Sequence, residues 1–277
     1  MRTALVQLTA SDDPAENLPV LREAIAEAAA QGAGFVATPE VTNCVSSSRT
    51  HQRAVLAEEE DDATLAAMRE DAARHGLWLL AGSLALALPD ESRFANRSLL
   101  IGPDGAIAAR YDKIHMFDVA ISETETYRES DGFRPGDRAV LARSAFAAIG
   151  MSVCYDVRFP HLYRALAQAG AEVLTVPAAF SPVSGAAHWH TLLRARAIET
   201  GCWVIAPAQT GDHAVRRGRP RSTYGHALAV NPWGEVVLDM GQAPGVAIFE
   251  MDLGQVAEAR RRIPSLSHDR PWTGPEG

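Results

Sequence analysis

Hydrophobic positions along the chain fall into short runs of strand length, alternating with stretches whose apolar residues recur every three or four positions. Thr3–Leu8 reads as a strand, and Asn17–Ala30 as a helix with Leu18, Leu21, Ile25 and Ala28 on one face. Gly32 and Gly34 break that helix before a strand at Phe35–Thr38, which ends at Pro39-Glu40. Asp61–His75 predicts a second helix closed by Gly76. Leu77–Leu84 and Arg97–Ile101 read as strands, and the PDG turn at Pro103–Gly105 folds Ala106–Tyr111 back as a hairpin.

From Lys113 to Asp137 the pattern is polar, irregular and punctuated by glycine and proline. A loop of ~25 residues is uncommon in a compact domain unless it is functional. Beyond it, Ala145–Val153 is an apolar strand running into Cys154, and Pro160 opens a helix to Ala169. Val173–Pro177, Trp203–Pro207, His226–Val230, Glu235–Asp239 and Gly245–Glu250 read as strands. Ala187–Thr200 and Leu253–Ile263 read as helices, and NPWG at Asn231–Gly234 as a turn. Strands followed in turn by helices and by tight turns predict an α/β fold, two mixed sheets with helices outside. With no Pro/Ser-rich linker and no short tandem repeat, residues 1–277 are expected to form one domain. A polar tail from about residue 264 is expected to be mobile or to serve oligomer contacts.

Composition narrows the function. A formal charge of -8 opposes nucleic-acid binding, which needs a basic face. Three cysteines without C-x-x-C suggest neither a disulfide framework nor a zinc site, and no H-E-x-x-H or tight ligand cluster supports a metal hydrolase. No G-x-G-x-x-G or Walker element is present. The opening MRTALVQLTASDDP reads as a first strand rather than a signal peptide, and no apolar run approaches the roughly 20 residues that span a bilayer. The expected setting is the cytoplasm, without membrane contact, where a reactive thiol stays reduced.

Three apolar strands deliver a reactive side chain at their C-terminal ends: FVATPE at Glu40, IAARYDK at Lys113 and IGMSVC at Cys154. Side chains just past strand ends line the ligand crevice of open α/β folds. Amide hydrolysis needs a nucleophile stronger than water, and a cysteine thiol of pKa roughly 8.5 needs a base or a cation to activate it. Glu40 can serve as general base, Lys113 as cationic stabiliser, and the Tyr155 N–H as backbone oxyanion donor. Singly, each has a plainer reading as a buried small side chain, a loop acid or a surface charge. With spacings of 73 and 41 residues, only the fold can bring them together.

The sequence around these residues resembles the nitrilase superfamily of carbon–nitrogen hydrolases. TPE, YDKIHMFD and GMSVCYDVRFP match its Glu–Lys–Cys signature in order and context, and YRESDGFRPGD, LLRARAIETGCWVIAPAQTG, YGHALAVNPWGE and RRRIP extend the likeness over nearly the whole chain. The resemblance implies an α-β-β-α sandwich, assembly into homodimers or larger homo-oligomers, and no metal or organic cofactor. It also implies a role for Glu129, in YRES, as the second glutamate that orients the lysine.

Within the family, LLRARAIET, YGHALAVNPWG and AFSPVSGAAHW resemble the Nit group of small amidases. That implies cleavage of deaminated glutathione, N-(4-oxoglutaryl)-L-cysteinylglycine, to 2-oxoglutarate and cysteinylglycine through a thioester. The alternatives are an ω-amidase acting on 2-oxoglutaramate and a catalytically silent binding or scaffolding member. A dicarboxylate substrate calls for cations, and Arg158 is the first candidate, with Phe180 and His188 as further substrate contacts. Arg216, Arg217, Arg219 and Arg221, in a Gly/Pro-interrupted run, are further candidate cations, with a solvated surface loop as the plainer reading. Arg194 or Arg196 is expected to pair with an acid such as Glu199. Cys44 and Cys202 are expected to be inert packing residues, and His190 a packing or rim residue.

Overall fold

The computed structural model describes residues 1–89, 91–121 and 126–275. In chain order the first half holds β1 (Arg2–Gln7), α1 (Pro14–Ala30), β2 (Phe35–Ala37), α2 (Arg49–Val55), α3 (Ala63–His75), β3 (Trp78–Leu86), β4 (Ala95–Ile101) and β5 (Ile107–Asp112). A small hairpin follows, β6 (Asp118–Ala120) and β7 (Thr126–Arg128). The second half holds β8 (Val140–Arg143), β9 (Ala148–Met151), α4 (Pro160–Gln168), β10 (Val173–Thr175), α5 (Pro182–Thr200) and β11 (Trp203–Ala206). It closes with β12 (Thr210–His213), β13 (Arg221–Tyr224), β14 (Leu228–Val230), β15 (Val236–Asp239), β16 (Gly245–Glu250) and α6 (Gly254–Arg262).

Two six-stranded sheets form, ordered β16-β1-β2-β3-β4-β5 and β15-β14-β11-β10-β9-β8. In the first, β1, β2 and β3 run parallel, with β16 antiparallel at one side and the β4–β5 pair antiparallel at the other. In the second, β9, β10 and β11 run parallel, flanked by β8 on one side and β14–β15 on the other. The two halves therefore share one topology, although the sequence carries no tandem repeat.

Strand alternation builds the layers. Leu5, Phe35, Ala37, Leu80 and Leu100 share a core with Ile149, Met151, Val173 and Val204 of the other sheet and with Trp189 and Leu193 of α5. Their sequence neighbours Ala4, Val6, Val36, Leu79 and Leu99 point the other way, onto Leu21 and Ile25 of α1 and Leu65 and Met68 of α3. The result is the expected α-β-β-α sandwich. Burial on both faces makes the central strands continuous apolar runs instead of alternating ones.

The helix ends follow local chemistry. Asp13 caps α1 by accepting from the Ala15 N–H, with Pro14 in the first turn, and Asp62 caps α3, which Gly76 closes at φ 63°. No helix among the described residues is long and apolar enough to cross a membrane.

Several elements differ from the sequence expectation. The strand read at Ala145–Val153 is only β9, because Ser144 turns the chain and β8 pairs with β9 instead. The Lys113–Asp137 loop contains the β6–β7 hairpin and a 3-10 turn at Glu129–Asp131. Helix α5 begins at Pro182, a first-turn proline, rather than at Ala187. The tail is not loose at its start: Arg164 and Gln168 of α4 bond Ser265, Leu266 and Asp269.

Candidate active site

Glu40 is placed by a bulge in β3. The register of β3 against β4 shifts between Ala81 and Leu84, and the freed groups receive the Pro39–Thr42 turn. Ser83 donates its N–H to the Pro39 carbonyl at 3.1 Å, while its Oγ accepts from the Val41 N–H at 2.8 Å. A Cβ on Gly82 would stand 1.8 Å from the Thr38 carbonyl oxygen, so only glycine permits this approach. Val41 takes a left-handed φ of 45°, which turns the chain sharply after Glu40.

Cys154 sits in a comparable bend. Its φ is 50°, a conformation that costs about 1–3 kcal/mol for a non-glycine residue and persists only where its surroundings impose it. Those surroundings are two hydrogen bonds: the Cys154 N–H to the Pro177 carbonyl at 2.9 Å, and the Val153 N–H to Asp156 Oδ2 at 2.8 Å. Asp156 is fully buried and also accepts from Tyr111 Oη at 2.7 Å and from the His115 N–H at 3.0 Å. It thereby ties the cysteine turn to the segment around Lys113. With the Cys154 N–H engaged, the next backbone donor along the chain is the Tyr155 N–H, in the first turn of a 3-10 helix where N–H groups lack intrahelical acceptors.

Lys113 leaves the end of β5, its N–H donating to the Asn96 carbonyl at 3.0 Å. Only 2% exposed, its ammonium donates to Glu40 Oε1 at 2.9 Å and to both oxygens of Glu129, at 2.9 and 2.8 Å. Glu129 also accepts from the Phe117 N–H at 2.6 Å, and the second Glu40 oxygen accepts from the Ala179 N–H at 2.8 Å. An ammonium buried without partners would lose several hydrogen bonds to water, and here two carboxylates replace them.

The charges set the protonation states. Burial works to raise the Glu40 carboxyl, but the positive charges of Lys113 and Arg221 outweigh it and hold its pKa below the ordinary glutamate value. Burial pushes the Cys154 thiol well above its ordinary value, and the Glu40 charge adds to this against the pull of Lys113. Lys113 is raised: burial disfavours its charge, but Glu129 and Glu40 favour it more. Glu40 lies close enough to Cys154 for a side-chain hydrogen bond. At rest the pair is a carboxylate facing a protonated sulfur.

All four residues, Glu40, Lys113, Glu129 and Cys154, line one cavity of about 260 Å³, with Tyr155 and Phe180 in its wall. Arg158 and His188 are not in that wall. They contact each other at 3.3 Å, with the Arg158 guanidinium 5.4 Å over the Phe180 ring. The cations that line the cavity are Arg49, Arg128 and Arg221 in addition to Lys113. Arg221, in β13, donates to the Ala179 carbonyl at 2.6 Å, whereas Arg216 pairs with Asp13 and Glu16 at the surface. The basic run is thus divided between the cavity wall, which Arg221 lines, and the surface, where Arg216 lies.

Asn96 was not legible as a site residue. Near the start of β4, beside Arg97 and Ser98, it donates to Glu40 at 2.9 Å and to Glu129 at 3.3 Å and bridges the two carboxylates. Cys44 touches the cavity, but burial holds its thiol up at about 12 and it donates to the Asp12 carbonyl. Arg196 bonds Glu199, as expected, and the Val157 carbonyl.

Comparison with known proteins agrees with this geometry. The family model described as carbon-nitrogen hydrolase matches residues 2–261. A deaminated glutathione amidase from Synechocystis sp. is 41% identical over 268 residues, covering 96% of this chain and 96% of that protein. Its namesake from Homo sapiens is 38% identical over 272 residues, covering 97% of this chain and 82% of that one. Among solved structures, the C. elegans NitFhit protein superposes with a TM-score of 0.88 at 34% identity, covering 97% of this chain and 65% of that chain, just under two thirds of its length. Motifs, sheet order and relatives converge: the chain belongs to the carbon-nitrogen hydrolase family of the nitrilase superfamily.

Proposed function

We propose that this carbon–nitrogen hydrolase is a cysteine-dependent amidase that cleaves deaminated glutathione to 2-oxoglutarate and cysteinylglycine. The observation that carries the reading is the buried Glu40–Lys113–Glu129 network facing Cys154 inside one small cavity. Relatives over nearly the full chain carry the name deaminated glutathione amidase, which supports the substrate.

In this mechanism the Cys154 proton passes to Glu40 as Sγ attacks the amide carbonyl carbon. The oxyanion that forms accepts hydrogen bonds from Lys113 and the Tyr155 N–H. Glu40 returns the proton to the amine nitrogen, the C–N bond breaks, and cysteinylglycine leaves. Water then gives a proton to Glu40 and adds to the thioester, and the proton finishes on the departing sulfur. Glu129 and Asn96 position Lys113 and Glu40. Both sheets contribute groups, which supports residues 1–277 acting as one domain; the reading is completed by a cytoplasmic setting and homo-oligomeric assembly, as the family resemblance implies.

The test of the substrate is a comparison of kcat/KM. Deaminated glutathione is expected to exceed 2-oxoglutaramate by at least about tenfold, a difference of about 1.4 kcal/mol in transition-state binding. The reverse order makes the protein an ω-amidase, and no turnover of either makes it a binding member.

Deaminated glutathione carries two carboxylates, and Arg221, which lines the cavity and lies near Glu40, is the cation we assign to one of them. Arg221→Gln is expected to raise KM for deaminated glutathione roughly tenfold with a smaller change in kcat, the pattern for a lost charge-assisted contact. An uncharged short amide is expected to lose much less. Equal losses on both amides would assign Arg221 to holding the fold instead.

A further inference from the structure

Outside the cavity, three potential metal ligands converge from three separate elements. His190 lies in α5, His226 between β13 and β14, and Asp239 at the end of β15. His190 Nε2 is 3.0 Å from Asp239 Oδ2, and His226 Nδ1 is 2.9 and 3.2 Å from the two Asp239 oxygens. One donor atom from each residue lies within 4.8 Å of the others. None of the three lines the candidate active site.

The arrangement is held from outside. His226 has a left-handed φ of 56°, fixed by its N–H to the Gly241 carbonyl at 2.6 Å and by its carbonyl, which accepts from Trp189 Nε1 at 2.9 Å. The Asp239 carboxylate also accepts from the Gly241 N–H at 2.9 Å, and the Tyr224 ring stacks on the His226 imidazole at 4.5 Å. Rigid backbone and ring contacts of this kind preorganise ligands around a metal.

We propose that His190, His226 and Asp239 form a binding site for a borderline divalent cation of the Zn²⁺ or Co²⁺ type. Two imidazole nitrogens and one carboxylate oxygen are a donor set suited to such ions and poorly suited to Ca²⁺ or Mg²⁺, which take oxygen ligands. Metal bonds of about 2.0–2.2 Å set ligand-to-ligand edges near those seen here between nitrogen and oxygen. The two imidazoles need to close slightly, and the partly exposed setting leaves further positions to water. Sequence alone hid the site, because the neighbouring His188 and His190 do not share a helix face and the true partners of His190 come from β-structure.

The test is titration of the full chain with Co²⁺ and Zn²⁺ in a Cys154→Ala background, which removes the reactive thiol as a competing ligand. One equivalent of Co²⁺ is expected to bind with a visible absorption band and to be displaced by Zn²⁺. His190→Ala and, separately, Asp239→Asn are expected to weaken uptake by at least about tenfold while keeping the metal-free melting temperature of the parent. His190→Ala changes a half-buried helix position and Asp239→Asn keeps side-chain volume, so the two variants check each other for folding. Absence of saturable uptake in the parent, or unchanged affinity in a folded variant, would overturn the site.

Discussion

Cys154→Ala is expected to reduce 2-oxoglutarate release from deaminated glutathione by at least ~10⁴-fold while the protein folds as before. The loss is large because Cys154 is the thiol beside Glu40, and Cys44, the other thiol in the cavity wall, is held protonated by burial and bonded to the Asp12 carbonyl. Folding survives because the thiol is not an anchor. The turn is fixed by the Cys154 backbone N–H and by Asp156, both unchanged in the variant, and alanine meets the same left-handed φ as cysteine. Initial rates with purified variant and a thermal melt check both halves. A folded variant that keeps more than about a hundredth of the activity contradicts the assignment of the nucleophile.

Glu40→Gln carries the second largest effect, a fall in kcat of about 10³-fold, in the range for a lost general base. Glutamine keeps the shape, and Lys113 keeps the Glu129 carboxylate, so no buried ammonium is left without a counter-charge. The wild-type pH profile follows from the same charges. Because Lys113 and Arg221 hold the Glu40 carboxyl below its ordinary range, the acid limb of kcat/KM is expected below the usual glutamate value. Arg221→Gln removes one of those cations, stabilises the carboxylate less, and moves that limb to higher pH. The Cys154 thiol, raised by burial and by Glu40, stays protonated at neutral pH, so the reaction begins with proton transfer rather than from a standing thiolate.

Much of this was legible in the sequence for a physical reason. The strands that lead to Glu40 and Cys154 are buried on both faces and read as apolar runs, whereas β5, at the sheet edge, alternates; each of the three ends on a side chain too reactive or too charged to continue the core. Glu40, Lys113 and Cys154 could be picked out that way, and their convergence awaited the fold. Glu129 entered by resemblance alone, since its 3-10 turn follows a hairpin with no strong periodicity. Asn96 was hidden among the polar residues Asn96, Arg97 and Ser98 that open β4, and Arg221 stood as one of four candidate arginines that differ only in what the β12–β13 hairpin brings to the cavity. Arg158 is a candidate because it lies four residues past the nucleophile, and the 3-10 turn at Cys154–Arg158 carries its side chain to His188 and over the Phe180 ring. The β3 bulge that seats Glu40 depends on Gly82 fitting against Thr38, a contact between strands that no local pattern reports.

The most direct measurement is intact-protein mass spectrometry of the wild-type protein after rapid quenching from an activated ester of 2-oxoglutarate, whose leaving group needs no proton. With Glu40 in place to take the thiol proton and acylation made faster than hydrolysis of the thioester, the protein is expected to gain one acyl mass, mapped by peptide digestion to Cys154. An unmodified protein that still turns the ester over, or an acyl group found on any other residue, would contradict the account.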